Sequence, residues 1–263
     1  MRTALTIAGS DSSAGAGIQA DLKTFAAFGV HGTSAITAVT AQSTKGVEAV
    51  FALSADIVTA QIEAVASDMP LHATKIGMLA TAAIVEAVAA AIDDLELPLV
   101  VVDPVMVSSD GRRLIDADGE QALRLELLQR ARVVTPNVPE AEALSGMRIA
   151  STKDAREAAR RIHDMGPRAV IITGGHAMTD GGVVDVLFDG HTVHEFTIAR
   201  VASAGTHGTG CTYAAAVAAG LALGIALTDA ARDAQQFVAG AIRERITVGG
   251  GRPQLNHFWN RRA

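Results

Sequence analysis

Leu99-Val100-Val101-Val102-Asp103-Pro104 is an unbroken apolar run stopped by an acid and a proline. A strand with one wet face alternates polar and apolar side chains. Consecutive apolar residues instead predict a strand covered on both faces, as at the centre of a parallel sheet. On either side of this run, strand-like and helix-like segments alternate along the chain. Residues 5–8 read as a first strand, 18–28 as a helix, and 35–40 and 47–53 as strands. Ser54 can cap a helix over 57–67, with Asp56 in its first turn. Residues 74–77 form a short strand, and Thr81 can cap a helix running through Leu95. Beyond the central run, 121–128 is helical, 133–135 a strand, and 140–144 and 154–165 helices. Residues 169–173 are a strand ended by Gly174-Gly175. Residues 183–188 and 192–198 flank Asp189-Gly190 as a hairpin. Two helices close the chain, about 210–224 and 228–246. Such alternation predicts an α/β fold with a mainly parallel sheet covered on both faces. Polar and glycine residues gather at the predicted carboxyl ends of the strands: 9–17, 40–44, 77–78, 103–109, 136–140 and 174–176. In open α/β sheets that edge binds ligands.

The chain has 263 residues, of which 49% are hydrophobic, enough for a substantial core. Its formal net charge of −6 argues against nucleic acid or an anionic membrane as the main partner. A single cysteine forms no intrachain disulfide, which predicts a reducing compartment. The apolar run 4–8 is too short for a signal segment, and 214–227 is too short to span a bilayer. The expected location is the cytoplasm.

Gly205-Thr206-His207-Gly208-Thr209-Gly210-Cys211 precedes a long alanine-rich helix. Its glycines let backbone N–H groups crowd an anion at a helix N-terminus, where the macrodipole favours negative charge. The same helix end is expected to lower the pKa of Cys211 and make it a proton acceptor. The plainer alternative is a glycine turn with Cys211 as a small buried apolar residue. Gly15-Ala-Gly17-Ile-Gln-Ala20 matches a dinucleotide pattern, but a polar stretch separates it from the first strand. The second strand also lacks the acid that would hold a ribose. No P-loop pattern is present. Asn137-Val-Pro-Glu140 fits two readings, a phosphate- and Mg²⁺-facing pair or a helix start with Pro139 at N1. Asp103 leaves the end of a strand as a metal-side acid or a turn residue. Gln42 can read the edge of a heterocycle. Met78 can face a planar ligand or pack the core, and Asp21 can reach a ligand or lie on a solvated helix face.

Taken together, these residues resemble the hydroxymethylpyrimidine kinase/phosphomethylpyrimidine kinase family of the ribokinase-like superfamily. The matching stretches are Leu5–Ser13 through Gly15–Thr24, Thr37–Gln42, Thr74–Leu79, Asp103–Met106, Thr135–Glu140, Gly174-Gly-His176 and Thr206–Cys211. They occur in the family's order over nearly the whole chain. Cys211 matters most, because sugar-type relatives carry aspartate at that position.

The resemblance implies a three-layer α/β/α ribokinase-like fold, one kinase domain over 1–263, and usually a homodimer. It implies two steps that use ATP and Mg²⁺ and leaves open a monovalent cation such as K⁺. The first phosphorylates 4-amino-5-hydroxymethyl-2-methylpyrimidine; the second converts the monophosphate to the pyrophosphate. Gln42 would bind the aminopyrimidine, with Gly9, Asp21, Met78 and Val105 around it. Asn137, Thr173, Thr206 and His207 would face ATP, and Glu140 and Asp103 the metal. Gly208, Thr209, Gly210 and Cys211 would form the catalytic anion hole. Two departures stand out: Thr173 replaces a common lysine, and Ala14 replaces a common glycine. The rival readings are a pyridoxal kinase on the same fold and a catalytically silent pyrimidine-binding protein.

Overall fold

The computed structural model describes residues 1–108, 111–174, 182–201 and 205–260. In chain order its elements are β1 (Thr3–Asp11), α1 (Gly17–Ala27), β2 (His31–Ser43), β3 (Gly46–Ala52), α2 (Ala55–Ala66), β4 (Ala73–Ile76), α3 (Ala82–Asp94) and β5 (Val100–Val102). There follow α4 (Ala117–Ala122), β6 (Val133–Val134), α5 (Val138–Ser145), α6 (Thr152–His163), β7 (Val170–Ile172), β8 (Gly182–Phe188), β9 (Val193–Ala199), α7 (Thr209–Ala222) and α8 (Leu227–Arg243). The described strands form one sheet in the order β3-β2-β1-β4-β5-β6-β7-β8-β9. Pairing is parallel from β2 through β7 and antiparallel at both margins.

Every residue of β5 is buried, as the apolar run predicts. One face of the sheet carries α2, α3, α5 and α6, with Val88, Leu144 and Ile162 in a common core. On the other face lie α1, α7 and α8, packed through Phe25, Val217 and Phe237. This is the expected three-layer arrangement. The small alanine side chains of α7 let it lie close against the sheet, and Thr212 through Ala222 are all buried. Ser54 and Thr81 cap α2 and α3 as expected, each accepting from a backbone N–H at 3.4 Å.

Several boundaries differ from the sequence expectation. β1 runs on through Asp11 because β2 pairs with it as far as Thr40, past an irregularity between Ala8 and Ser10. β2 reaches Ser43, so the expected loop 40–44 is largely strand, held by antiparallel pairing with β3. The helix expected over 121–128 starts at Ala117, where Asp116 accepts from Gly119 N at 2.7 Å. It then widens into a π-helical turn over Leu123–Leu127. Pro139 is the second rather than the first residue of α5, whose N-cap is Asn137. The last helix ends at Arg243, because Ile246 turns back to pair with Gln254. Gly175 and His176 lie outside the described residues.

Candidate active site

A cavity of about 460 Å³ opens at the carboxyl edge of β1, β4 and β5. Gly9, Gln42, Met78 and Val105 line one side of it; Asp103, Asn137, Glu140 and the segment 206–211 line the other. The β2–β3 ribbon brings Gln42 to this wall. The Gln42 side chain lies 2.6 Å from His207 Nε2 and accepts from Thr40 Oγ1 at 3.1 Å. His207 Nε2 also lies 3.2 Å from Asp11 Oδ2. Asp11 in turn gathers the turn after β1, accepting from Ser13, Gly15 and Ala16 N–H groups at 2.8–3.0 Å. Burial works against its charge, yet the bonds from His207 and Ser13 hold its carboxyl below the usual range. Those amides are the ones a dinucleotide pyrophosphate would need. The glycine pattern at 15–20 is therefore a carboxylate-bound turn rather than a cofactor loop.

The anion loop meets this turn backbone to backbone. Gly208, the N-cap of α7, has φ +86°. A Cβ there would overlap the Gly15 carbonyl oxygen. Only glycine tolerates both that φ and that contact. The next residues expose amides of the first turn of α7 toward the cavity.

Beneath the loop sits a buried charge cluster. Lys75, on β4, is fully buried, and its Nζ donates to Asp21 Oδ2 at 2.8 Å. Thr6 Oγ1 donates to the same oxygen at 2.6 Å. Asp21, Asp103 and Cys211 hold the Lys75 ammonium above its ordinary pKa despite burial. Burial pushes Asp103 up to about 6, with Lys75 opposing and Asp21 assisting. Burial and then Asp103 push Glu140 up to about 8. Asn137 and Glu140 also form a reciprocal capping box, with both bonds at 3.0 Å. The helix-start reading therefore holds, and Glu140 also lines the cavity.

A second cavity, of about 360 Å³, lies between β8, β9 and α7–α8. Thr173, Gly174, Val183, Asp185, Tyr213 and Gln235 are among its lining residues. Asn137, Pro139, Thr206, Thr209 and Gly210 line both cavities. The 206–210 segment is thus part of the wall that the two share.

A phosphomethylpyrimidine kinase family model matches residues 11–256. A hydroxymethylpyrimidine/phosphomethylpyrimidine kinase of Synechococcus elongatus is 50% identical over 256 residues, covering 97% of each chain. The chain belongs to the phosphomethylpyrimidine kinase family. It is also 46% identical to a thiamine biosynthesis bifunctional protein of Geobacter sulfurreducens, of which it spans about half, 52%. Among solved structures, an ADP complex of Bacillus subtilis pyridoxal kinase superposes with a TM-score of 0.91 at 39% identity, covering 99% of this chain and 98% of that one.

Within this family member Asp21 sits elsewhere than the resemblance implies. Asp21 is sealed behind Lys75, off the cavity wall, so it cannot touch a ligand in this arrangement. His207 faces the first cavity and Gln42 rather than the second. Thr173 lies on the second cavity but supplies no cation; Arg200 is a described cation on that wall. Ala14, where glycine is common, takes φ +61°, a left-handed backbone that costs an alanine roughly 1–2 kcal/mol. Sequence reading missed Lys75, Asp11 and Asp185. A lysine within a fully buried interior strand was the available signal for the first.

Cys211 reverses its expected sign. Burial pushes its thiol up to about 12; Lys75 pulls it down, but Asp103 and Asp21 push it further up. The helix end is outweighed by the loss of water and by neighbouring acids. In metal-free protein, alkylation by iodoacetamide should therefore keep rising from pH 7 to pH 9 and stay at least about tenfold slower than for a free thiol. A rate that plateaus below pH 7 would show a standing thiolate instead.

Proposed function

We propose that this chain transfers the γ-phosphoryl group of ATP to the hydroxymethyl oxygen of 4-amino-5-hydroxymethyl-2-methylpyrimidine. It then phosphorylates the resulting monophosphate to the pyrophosphate, as a step of thiamine biosynthesis. One observation carries this reading: the anion loop forms a common wall between two cavities, the arrangement a donor and an acceptor need on either side of a transferring group. A binding protein has no use for such a shared cradle.

In the first step the alcohol oxygen bonds to the γ-phosphorus, the bond to the β-phosphate bridging oxygen breaks, and ADP leaves. The alcohol proton passes to the hydrogen-bonded Cys211–Asp103 pair. Cys211 acts here as a relay, not as a preformed thiolate: its sulfur takes the alcohol proton as its own thiol proton passes to the Asp103 carboxylate. In the second step the acceptor oxygen already carries negative charge, so no base is needed. The amides of Gly208–Cys211 hold the transferring oxygens in both steps. Gln42 orients the ring edge, and Lys75 offsets negative charge beneath the loop.

Asp103 and Glu140 fit a divalent cation. Both are buried, Asp103 raises the pKa of Glu140, and Asp103 Oδ2 has no hydrogen-bond partner. Mg²⁺ held there would neutralise charge on the phosphates. Exposed Val39 and Phe51 at the β2–β3 edge support a homodimer. Among the described residues no helix is long and apolar enough to cross a membrane. We take 1–263 to work as one kinase domain in the cytoplasm, and omission of K⁺ from the assay tests the monovalent-ion requirement.

The deciding experiment is an ATP assay with the pyrimidine alcohol, its monophosphate and pyridoxal side by side, run with native protein and with Cys211→Ala. Native protein should turn over the first two acceptors. Cys211→Ala should slow the alcohol step by about 10²-fold, the low end for general-base help, and the monophosphate step far less. Turnover of pyridoxal alone would favour the pyridoxal kinase reading. Equal losses in both steps would leave Cys211 as a packing residue.

A further inference from the structure

Residues beyond α8 turn back and cross the outer side of the anion loop. Ile246 and Gln254 exchange both backbone hydrogen bonds, each at 2.9 Å. The Pro253 carbonyl accepts from His207 N at 3.2 Å, and Gln254 Nε2 donates to the Ser13 carbonyl at 2.8 Å. This strap therefore touches both the anion loop and the turn that the loop rests on. At its inner end His257 is buried, with Nε2 3.0 Å from Thr212 Oγ1. The Leu255 backbone also bonds the ring, so His257 is held between the strap and α7. Burial, followed by Lys23, pushes the imidazole down to about 4, and it stays neutral over the working range.

Thr212 follows Cys211 directly and closes the first turn of α7 through its N–H to the Gly208 carbonyl, at 3.0 Å. That turn, like the first turns of α1 and α8, has no side-chain cap. α2, α3 and α6 each hold their first amides with a serine or threonine N-cap side chain. The N-cap of α7 is Gly208, which has no side chain to do so. A side-chain cap would also occupy the amides that an anion needs. The His257–Thr212 bond reaches the turn from behind and leaves those amides free. Neither residue lines a cavity.

We propose that His257 is a positioning residue for phosphoryl transfer: through the Thr212 hydroxyl it ties the first turn of α7, and hence the Gly208–Cys211 amides, to the C-terminal strap. The inference rests on the kinase reading above. It predicts that His257→Phe and Thr212→Val each lower kcat about tenfold or more for the alcohol and the monophosphate alike, since small displacements of a cradle are costly. KM for the pyrimidine should stay within about twofold, because the ring pocket is untouched. The double variant should be no slower than the worse single one, since both changes remove the same bond. Thermal unfolding is followed alongside, and if His257→Phe does not fold, Thr212→Val carries the test alone. Folded variants with native kcat, or losses that multiply in the double variant, would overturn the inference. An inactive native protein would instead overturn the kinase reading itself.

Discussion

Gly208→Ala should abolish both proposed phosphoryl transfers while most of the fold survives. The added Cβ meets the Gly15 carbonyl oxygen inside its van der Waals radius, and the residue must also keep φ +86°. The left-handed backbone alone costs roughly 1–2 kcal/mol. The overlap is with backbone, so no side-chain rotation relieves it; the loop and the 13–17 turn must part. His207 should then move away from Gln42 and Asp11, and the amides proposed to hold the transferring oxygens should lose their aim. Loss of one well-aimed donor typically costs about 10²–10³ in rate, and here several are displaced together. The control is Gly210→Ala. Its Cβ would lie 3.8 and 3.9 Å from the Asp103 carboxylate oxygens, an ordinary contact, so a smaller loss is expected there. Steady-state rates for both acceptors, with unfolding midpoints for both variants, check the comparison. If Gly208→Ala kept more than about a tenth of native kcat, the loop contact would not be the organiser of the site.

Lys75→Met should lower stability by about 3–5 kcal/mol, the usual cost of stranding one member of a buried ion pair. An exposed pair such as Arg232–Asp229 would cost under about 1 kcal/mol, so the size of the effect separates the two cases. Asp21 would retain the Thr6 hydroxyl but lose its cation, with no water to replace it. Lys75→Met combined with Asp21→Asn should recover much of that stability, because no bare charge then remains buried. Activity should not return. Lys75 is on the cavity wall and holds down the pKa values of both Asp103 and Cys211. Without it the two acids and the thiol face one another unopposed. Urea unfolding of the three proteins, with rates on the alcohol, tests both halves. A single variant as stable as the native protein, or a double variant with native activity, would remove Lys75 from its assigned place.

The Val100–Val102 run, the cappable Ser54 and Thr81, and the strand–helix alternation were readable because their causes are local. Burial on both faces of β5 needs consecutive apolar residues, and a cap needs a hydroxyl three residues before an orphan amide. The same holds for the start of α7, where Gly208 and Gly210 open the helix. Four features were settled by the assembled chain alone. The Lys75–Asp21 pair joins residues 54 apart, and the His207–Gln42 contact joins residues 165 apart. Asp21 looked like a ligand contact one helical turn beyond Gly17, yet β4 places Lys75 in front of it. Cys211 looked acidic at a helix end, yet burial beside Asp103 and Asp21 outweighs the dipole. Turn geometry, capping and periodicity act over a few residues and are written in sequence order. Desolvation and charge pairing depend on which distant segments pack together, and they fix the ionisation of the site only once the sheet has closed over it.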